Sequence, residues 1–301
     1  MSEMPLVSIV MNCYNSDEYL EIAIESVLNQ NYTNWELIFW DNQSSDNSAK
    51  ISQSFNDSRI KYFYAPSHTS LGEARNLAIE KTLGNWVAIL DCDDIWHKDK
   101  LFDAFESLNK YSNKEKVALI YSKTQYIDEK GKIFKLFKEA YSGKIHDLLL
   151  KRGDFIFISS AIFKRSVLSE VGKIDSSLHY AEDYDLVLKI SKNYECLCIE
   201  EYQTSYRVHS NNLTNSKVYE YDIENFEFLK RYAKKNNLSK TLQCSIFNKN
   251  SERMTASIVK LILKKEYTNL IKMIISYPQY LLLFPYHISI FILKSLNKEK
   301  I

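Results

Sequence analysis

Over the first 95 residues, short continuous apolar runs alternate with stretches whose apolar positions recur at helical spacing. Leu6-Val7-Ser8-Ile9-Val10-Met11 reads as a buried strand. Leu20, Ala23, Ile24, Val27 and Leu28 then lay one apolar stripe on a helix that starts near Asp17. Residues 35–40 repeat the strand, and the polar turn Asp41-Asn42-Gln43-Ser44-Ser45-Asp46 opens a second helix reaching about Phe55. Residues 60–64 predict a short strand, 71–83 a helix capped by Gly84, and 86–90 a further strand. Strands alternating with helices in this way predict an α/β fold with a mainly parallel, doubly wound sheet.

Such a sheet gathers its strand ends at one rim, where open α/β enzymes bind ligands. Tyr14-Asn15, Asp41-Asn42 and Asp91-Cys92-Asp93-Asp94 each follow an apolar strand, so these polar groups are expected to converge. In an extended chain Asp91 and Asp93 face one side and Cys92 the other, which lets two carboxylates share a divalent ion. Each position also has a purely structural alternative. Asn15 can cap the first helix, Asp41 can make an Asx-turn, Tyr14 can be a half-buried core aromatic, and residues 91–94 can be an Asp-rich turn leading to a helix cap at Asp94.

The 301 residues are 45% hydrophobic and 13% aromatic, enough for one large α/β domain with an appendage. With only 6 Gly and 4 Pro the chain is not a disordered one, and neither G-x-G-x-x-G nor G-x-x-x-x-G-K-[ST] occurs. Dinucleotide-dependent dehydrogenases and P-loop enzymes thereby lose their main support. The cysteines form no C-x-x-C pair, and no basic region leads into an apolar signal core at the N-terminus, so a reducing cytoplasm is expected.

A net charge of +1 hides an asymmetry: residues 1–214 carry 24 Lys and Arg against 31 carboxylates, residues 215–301 carry 15 against 7. Two regions follow from this, 1–214 and a basic, aromatic-rich helical tail 215–301 suited to an anionic surface. The acidic front region disfavours nucleic acid as a partner. Within the tail, residues 273–293 form 21 positions without Asp, Glu, Lys or Arg, just long enough for a membrane-crossing helix. Pro278, Gln279, Pro285 and His287 interrupt that run, while Tyr277, Tyr280, Phe284 and Tyr286 suit an interface. Peripheral membrane contact through 258–294 is therefore expected, with core packing or a true span as alternatives.

Val7-Ser8-Ile9-Val10-Met11-Asn12-Cys13-Tyr14-Asn15, the 41–46 turn, Gly72-Glu73-Ala74-Arg75-Asn76 and Asp91-Cys92-Asp93-Asp94 stand in a fixed order. In that order they resemble the landmarks of family 2 glycosyltransferases with the Rossmann-like GT-A fold, of the type that builds bacterial cell-surface polysaccharide. The resemblance continues through Phe163-Lys164-Arg165, Val171-Gly172-Lys173-Ile174-Asp175, Glu182-Asp183-Tyr184-Asp185-Leu186 and Tyr206-Arg207-Val208-His209, and stops near residue 214. It departs from the pattern at Asn12, where many relatives carry Pro, and at Lys173-Ile174-Asp175, where many carry Gly-Phe-Asp.

The resemblance implies an inverting, divalent-metal-dependent transfer of a sugar from a nucleotide-diphosphate donor, a UDP-sugar being favoured, to a hydroxyl of a glycan or lipid-linked glycan. It implies Asp93 as direct ligand of Mn²⁺ or Mg²⁺ and Asp91 shared between metal and donor; His209, on the same side of an extended segment as Arg207, is a candidate further ligand, with a purely structural histidine as the alternative. Tyr14, Asn15, Asp41 and Asn42 would line the nucleotide pocket, Arg75 would contact the nucleotide or orient the aspartates, and Arg207 would meet phosphate or acceptor. Asp183 would be the general base, assisted by Glu182 at a helix start that favours ionised carboxylates. Ser159, Ser160 and the loop around His179 would border the acceptor. The enzyme would sit peripherally at the inner face of the cytoplasmic membrane. Two other readings compete: a nucleotidyltransferase, which normally shows a Gly-rich loop, and a non-catalytic glycan- or nucleotide-sugar-binding protein.

Overall fold

The computed structural model describes residues 4–212, 217–263 and 267–277. The chain opens with β1 (Val7–Cys13), α1 (Asp17–Leu28), β2 (Trp35–Asp41), α2 (Ser48–Ser54), β3 (Ile60–Tyr64), α3 (Leu71–Ile79) and β4 (Trp86–Ile89). Then come β5 (Ile95–Trp96), α4 (Lys100–Lys110), β6 (Val117–Ile127), β7 (Ile133–Phe137), α5 (His146–Arg152), β8 (Ile162–Lys164), α6 (Arg165–Val171), α7 (Glu182–Ser191) and β9 (Glu195–Arg207). The sheet order is β3-β2-β1-β4-β8-β6-β9-β5, with β7 beside β6.

β1, β2, β3 and β4 run parallel, as the alternating pattern predicts. β2 is buried along its whole length and β1 almost so, which is why both read as unbroken apolar runs. α1 buries Leu20, Ala23, Ile24 and Val27, the stripe visible in the sequence. Beyond β4 the sheet is mixed: β8 runs antiparallel to both β4 and β6, while β9 pairs parallel with β6.

Two local expectations need correction. The third helix ends at Ile79, and Gly84 does not cap it. Instead the Gly84 amide donates to Ser8 Oγ at 2.7 Å, and a Cβ there would lie 2.6 Å from the Leu6 carbonyl oxygen. Glycine is needed for the chain to pass close against β1. The fourth strand likewise stops at Ile89, and residues 91–94 form a turn in which the Asp94 amide donates to the Asp91 carbonyl at 3.2 Å. Side chains of a turn do not alternate, so Asp91 and Asp93 are aimed differently.

The chain divides into two compact units, Met1–His146 with Asp154–His209, and Asp147–Gly153 with Ser210–Ile301. The second contains α8 (Val218–Lys235), α9 (Lys240–Leu263) and α10 (Tyr267–Ser276). Phe226, Met254, Ile258, Leu261 and Met273 form its apolar centre. Among the described residues no helix is long and apolar enough to cross a membrane. Residues 278–294 of the expected membrane-facing segment, including Pro278, Gln279, Tyr280, Phe284, Pro285, Tyr286 and His287, lie outside the described residues.

Candidate active site

At the centre stands Arg75, on the buried face of α3. Its Nη2 donates to Asp91 Oδ1 at 2.9 Å and its Nη1 to Glu182 Oε1 at 2.8 Å. Burial works against the guanidinium charge, but Asp91 and Glu182 outweigh it and push the Arg75 pKa up. One side chain thus couples the β4 turn to the start of α7.

The other end of the turn faces the end of β9. Asp93 Oδ2 lies 2.9 Å from His209 Nε2, and the His209 ring packs on Tyr19 at 5.1 Å. Burial and the neighbouring Asp91 raise the Asp93 pKa. Asp94 is buried and accepts the Arg207 backbone amide at 3.0 Å, so it pins the strand end. The Arg207 side chain is buried and engaged by the chain around it. Its Nε donates to the Asp93 carbonyl at 3.0 Å, its Nη1 donates to the Asp128 and Glu129 carbonyls at 3.2 and 3.1 Å, and its guanidinium lies over the Tyr19 ring. It clamps main chain.

Among the described residues no three His, Cys, Asp or Glu side chains come together as a ready metal cage. Asp93 and His209 offer one oxygen and one nitrogen side by side, with Asp91 next to them but drawn to Arg75. This donor set fits an ion that takes the rest of its coordination from substrate phosphates, the usual habit of Mg²⁺ and Mn²⁺.

At the ends of β1 and β2, Asn15 adopts φ 50°, a left-handed geometry that Asn tolerates. Its Oδ1 accepts the Ser45 amide at 2.7 Å and its amide donates to Ser44 Oγ at 3.1 Å, so it knits the two loops. Asp41 is fully buried, accepting Tyr62 Oη at 2.7 Å and the Ser44 amide at 2.7 Å. Asn42 fastens Thr69 through its side-chain amide, donating to the Thr69 carbonyl at 2.9 Å. Tyr14 is half exposed and meets the His68 ring at 4.2 Å, leaving an open aromatic surface above these groups.

Asp183 begins α7 beside Glu182. Burial, Asp154 and Glu182 together hold its carboxyl well above the usual range, against the pull of Arg75. Its Oδ1 accepts the Tyr184 amide at 2.7 Å. Ser159 is buried, and its Oγ accepts the Asp91 amide at 3.1 Å, so it holds the 91–94 turn from behind.

Residues 8–172 match the family model described as Glycosyl transferase family 2. The chain belongs to this family. An uncharacterised glycosyltransferase of Rickettsia typhi is 31% identical over 244 residues, 76% of this chain and 73% of that protein. The Escherichia coli UDP-Glc:alpha-D-GlcNAc-diphosphoundecaprenol beta-1,3-glucosyltransferase WfgD is 44% identical over 96 residues, 32% of this chain and 38% of its own length. The crystal structure of S. aureus TarS 1–349 in complex with UDP-GlcNAc matches with a TM-score of 0.58 over 91% of both chains, at 15% identity, a likeness of fold. The chain is a glycosyltransferase, and its mixed α/β sheet is the GT-A architecture that the motifs imply.

Several groups of this glycosyltransferase site escape a reading by motif. Tyr62, His68, Tyr19 and Asp154 touch or polarise the expected residues but belong to none of the ordered motifs. Tyr62 carried one signal, its place near the end of a strand that adjoins β2.

Proposed function

We propose that this glycosyltransferase moves a sugar from a nucleoside-diphosphate donor, a UDP-sugar by preference, to a hydroxyl of a glycan or lipid-linked glycan during cell-surface polysaccharide assembly. The observation that carries the reading is the Arg75 bridge, which joins Asp91 at the leaving-group end to Glu182, the neighbour of Asp183, at the acceptor end. Asp93 and His209, with Asp91, would hold Mn²⁺ or Mg²⁺ against the donor diphosphate. When bound, such a cation supplies Lewis-acid stabilisation to the departing phosphate oxygens.

The acceptor oxygen attacks the anomeric carbon as the carbon–oxygen bond to the diphosphate breaks, and the acceptor proton passes to the Asp183 carboxylate. One displacement from the opposite face inverts the anomeric centre, with no covalent sugar on the enzyme. Tyr14 offers a face to the nucleobase, and Asn15, Asp41 and Asn42 shape the loops around it. UDP as the nucleotide is supported by the donor named for the E. coli relative and by the UDP-GlcNAc bound to TarS. The diphosphoundecaprenol acceptor of that relative supports a lipid-linked one.

In this reading residues 1–214 carry donor and acceptor, and the basic tail 215–301 gives peripheral contact with the inner face of the cytoplasmic membrane through 258–294. Exposed Ile271 and Ile275, one helical turn apart on α10, support that contact. Nucleotide release from a panel of sugar donors, with Mn²⁺ or EDTA, tests the chemistry in wild type, Asp93→Ala and Asp183→Asn. Loss of turnover in EDTA and in both variants is expected; full activity in any of the three sinks the mechanism.

A further inference from the structure

The hairpin formed by β6 and β7 has no role in the chemistry above, yet its exposed surface is unusual. β7 pairs only with β6 among the described residues, so its outer edge faces outward. Ile133, Phe134 and Leu136 are 50%, 56% and 43% exposed. From 130 to 138 the chain carries Lys130, Lys132, Lys135 and Lys138 and no carboxylate. Lys135 lies over the Tyr126 ring at 4.6 Å, whereas Lys130, Lys132 and Lys138 make no ion pair with a described residue.

The tip is firmly built. Asp128 Oδ1 accepts the Lys130 and Lys132 amides at 3.0 and 2.8 Å, and Gly131 takes the left-handed φ of +81° that the turn requires. A register shift opposite Tyr126 and Ile127 interrupts the alternation at Phe134, whose ring meets Tyr126 at 6.1 Å, so the exposed Ile133, Phe134 and Leu136 are distributed around the hairpin end among Lys130, Lys132 and Lys138. Lysines on an edge strand commonly guard against edge-to-edge pairing, but that guard does not call for three exposed large apolar side chains. A hairpin end that exposes three large apolar side chains among cations without an ion pair is complementary to a surface that is apolar below and anionic above.

We infer that the β6–β7 hairpin docks on an anionic phospholipid bilayer, with Phe134 and Leu136 entering the interfacial layer and Lys130, Lys132 and Lys138 meeting the headgroups. This contact is separate in sequence from the basic tail and does not rest on the transferase reading. It does reach the site. Arg207 ties the hairpin turn at the Asp128 and Glu129 carbonyls to the Asp93 carbonyl. Phe157 joins Phe137 at 5.2 Å to Tyr206 at 5.3 Å. Docking would therefore set the Asp93 turn at a fixed distance from the bilayer surface, where the hydroxyl of a lipid-anchored acceptor is found.

The test uses the full chain carrying Phe134→Trp, mixed with vesicles of phosphatidylglycerol and phosphatidylcholine or of phosphatidylcholine alone. The four native tryptophans are at most 7% exposed, so a new exposed indole stands out by difference from wild type. Its emission is expected to shift to the blue and to be quenched by brominated acyl chains in the anionic vesicles only. Lys132→Gln with Lys138→Gln is expected to lower partitioning into those vesicles roughly 30-fold, at the usual contribution of a lysine near an anionic surface. Protein that floats with vesicles while the indole stays unquenched is attached elsewhere, and overturns the proposal. Absence of flotation, or partitioning unchanged in the double lysine variant, overturns it too. Neither readout depends on turnover, so the catalytic proposal can fail or stand independently.

Discussion

The guanidinium of Arg75 holds the Glu182 carboxylate at 2.8 Å across 107 residues of sequence, while its second terminal nitrogen holds Asp91. The Arg75 and Glu182 side chains are 3% and 5% exposed, so each depends on the other to compensate a charge removed from water. A planar fork serves two carboxylates at once, and a lysine ammonium does not match that geometry. Arg75→Ala is expected to cost about 3–5 kcal/mol of stability, and Arg75→Lys less, with turnover falling in both. Urea unfolding beside donor turnover checks this; an Arg75→Ala midpoint equal to wild type would remove the bridge from the account.

Arg207 separates two roles that a sequence motif cannot distinguish. Its Nε and Nη1 donate to the carbonyls of Asp93, Asp128 and Glu129, which supports a role in building the turn. Arg207→Gln is therefore expected to lose about 2–4 kcal/mol of stability, because several charge-assisted bonds vanish together. Turnover should fall while the donor KM moves less than about threefold, since an interaction that only positions the catalytic turn is not uniform donor binding. A donor KM raised about a hundredfold at unchanged urea midpoint would make Arg207 a donor ligand.

The first half of the sheet was legible because its signal is local. β1 and α1 follow from the apolar run ending at Met11, which the structure extends to Cys13, and the stripe from Leu20 to Leu28, patterns that each element writes into its own residues. The antiparallel insertion of β8 between β4 and β6 has no such local mark, because Ile162, Phe163 and Lys164 read the same in either direction. The site shows the same division. Asp91, Asp93, Glu182 and Asp183 could be picked out by motif, but the Arg75 bridge and the contrast between Arg207 and His209 depend on contacts between distant segments. Gly84 misled for a related reason: a glycine after a helical pattern suggests a cap, whereas its constraint comes from Leu6 and Ser8 on another strand.

The acid limb of the rate profile should report Asp183. Burial, Asp154 and Glu182 hold its carboxyl well above the usual range, and a general base works only when ionised. Activity is thus expected to be full above the raised Asp183 value and to fall as pH drops through it, at a pH higher than an ordinary carboxylate of about 4 would give. Asp154→Asn removes one of the repelling charges and should shift the limb of kcat to lower pH. A limb that stays in place in Asp154→Asn would argue that another group sets it.

Lys100 gives a pH signature of stability that is independent of catalysis. At the start of α4 it is fully buried, and its Nζ donates to the Ser160 carbonyl at 2.8 Å, to Thr204 Oγ1 at 3.1 Å and to Ser122 Oγ at 3.4 Å. Burial lowers its pKa to about 7, whereas an unfolded lysine titrates near about 10.4. Between those values the unfolded chain binds more protons than the folded one, so this group makes stability rise with pH across that window. Below the folded value both states are protonated, and the cost of burying the cation is fully present. Lys100→Met removes the titration. Wild type is expected to gain stability on the order of a few kcal/mol relative to Lys100→Met between about pH 7 and about pH 10. Urea unfolding of both proteins across that range decides it: parallel stability curves would show that Lys100 keeps its charge throughout.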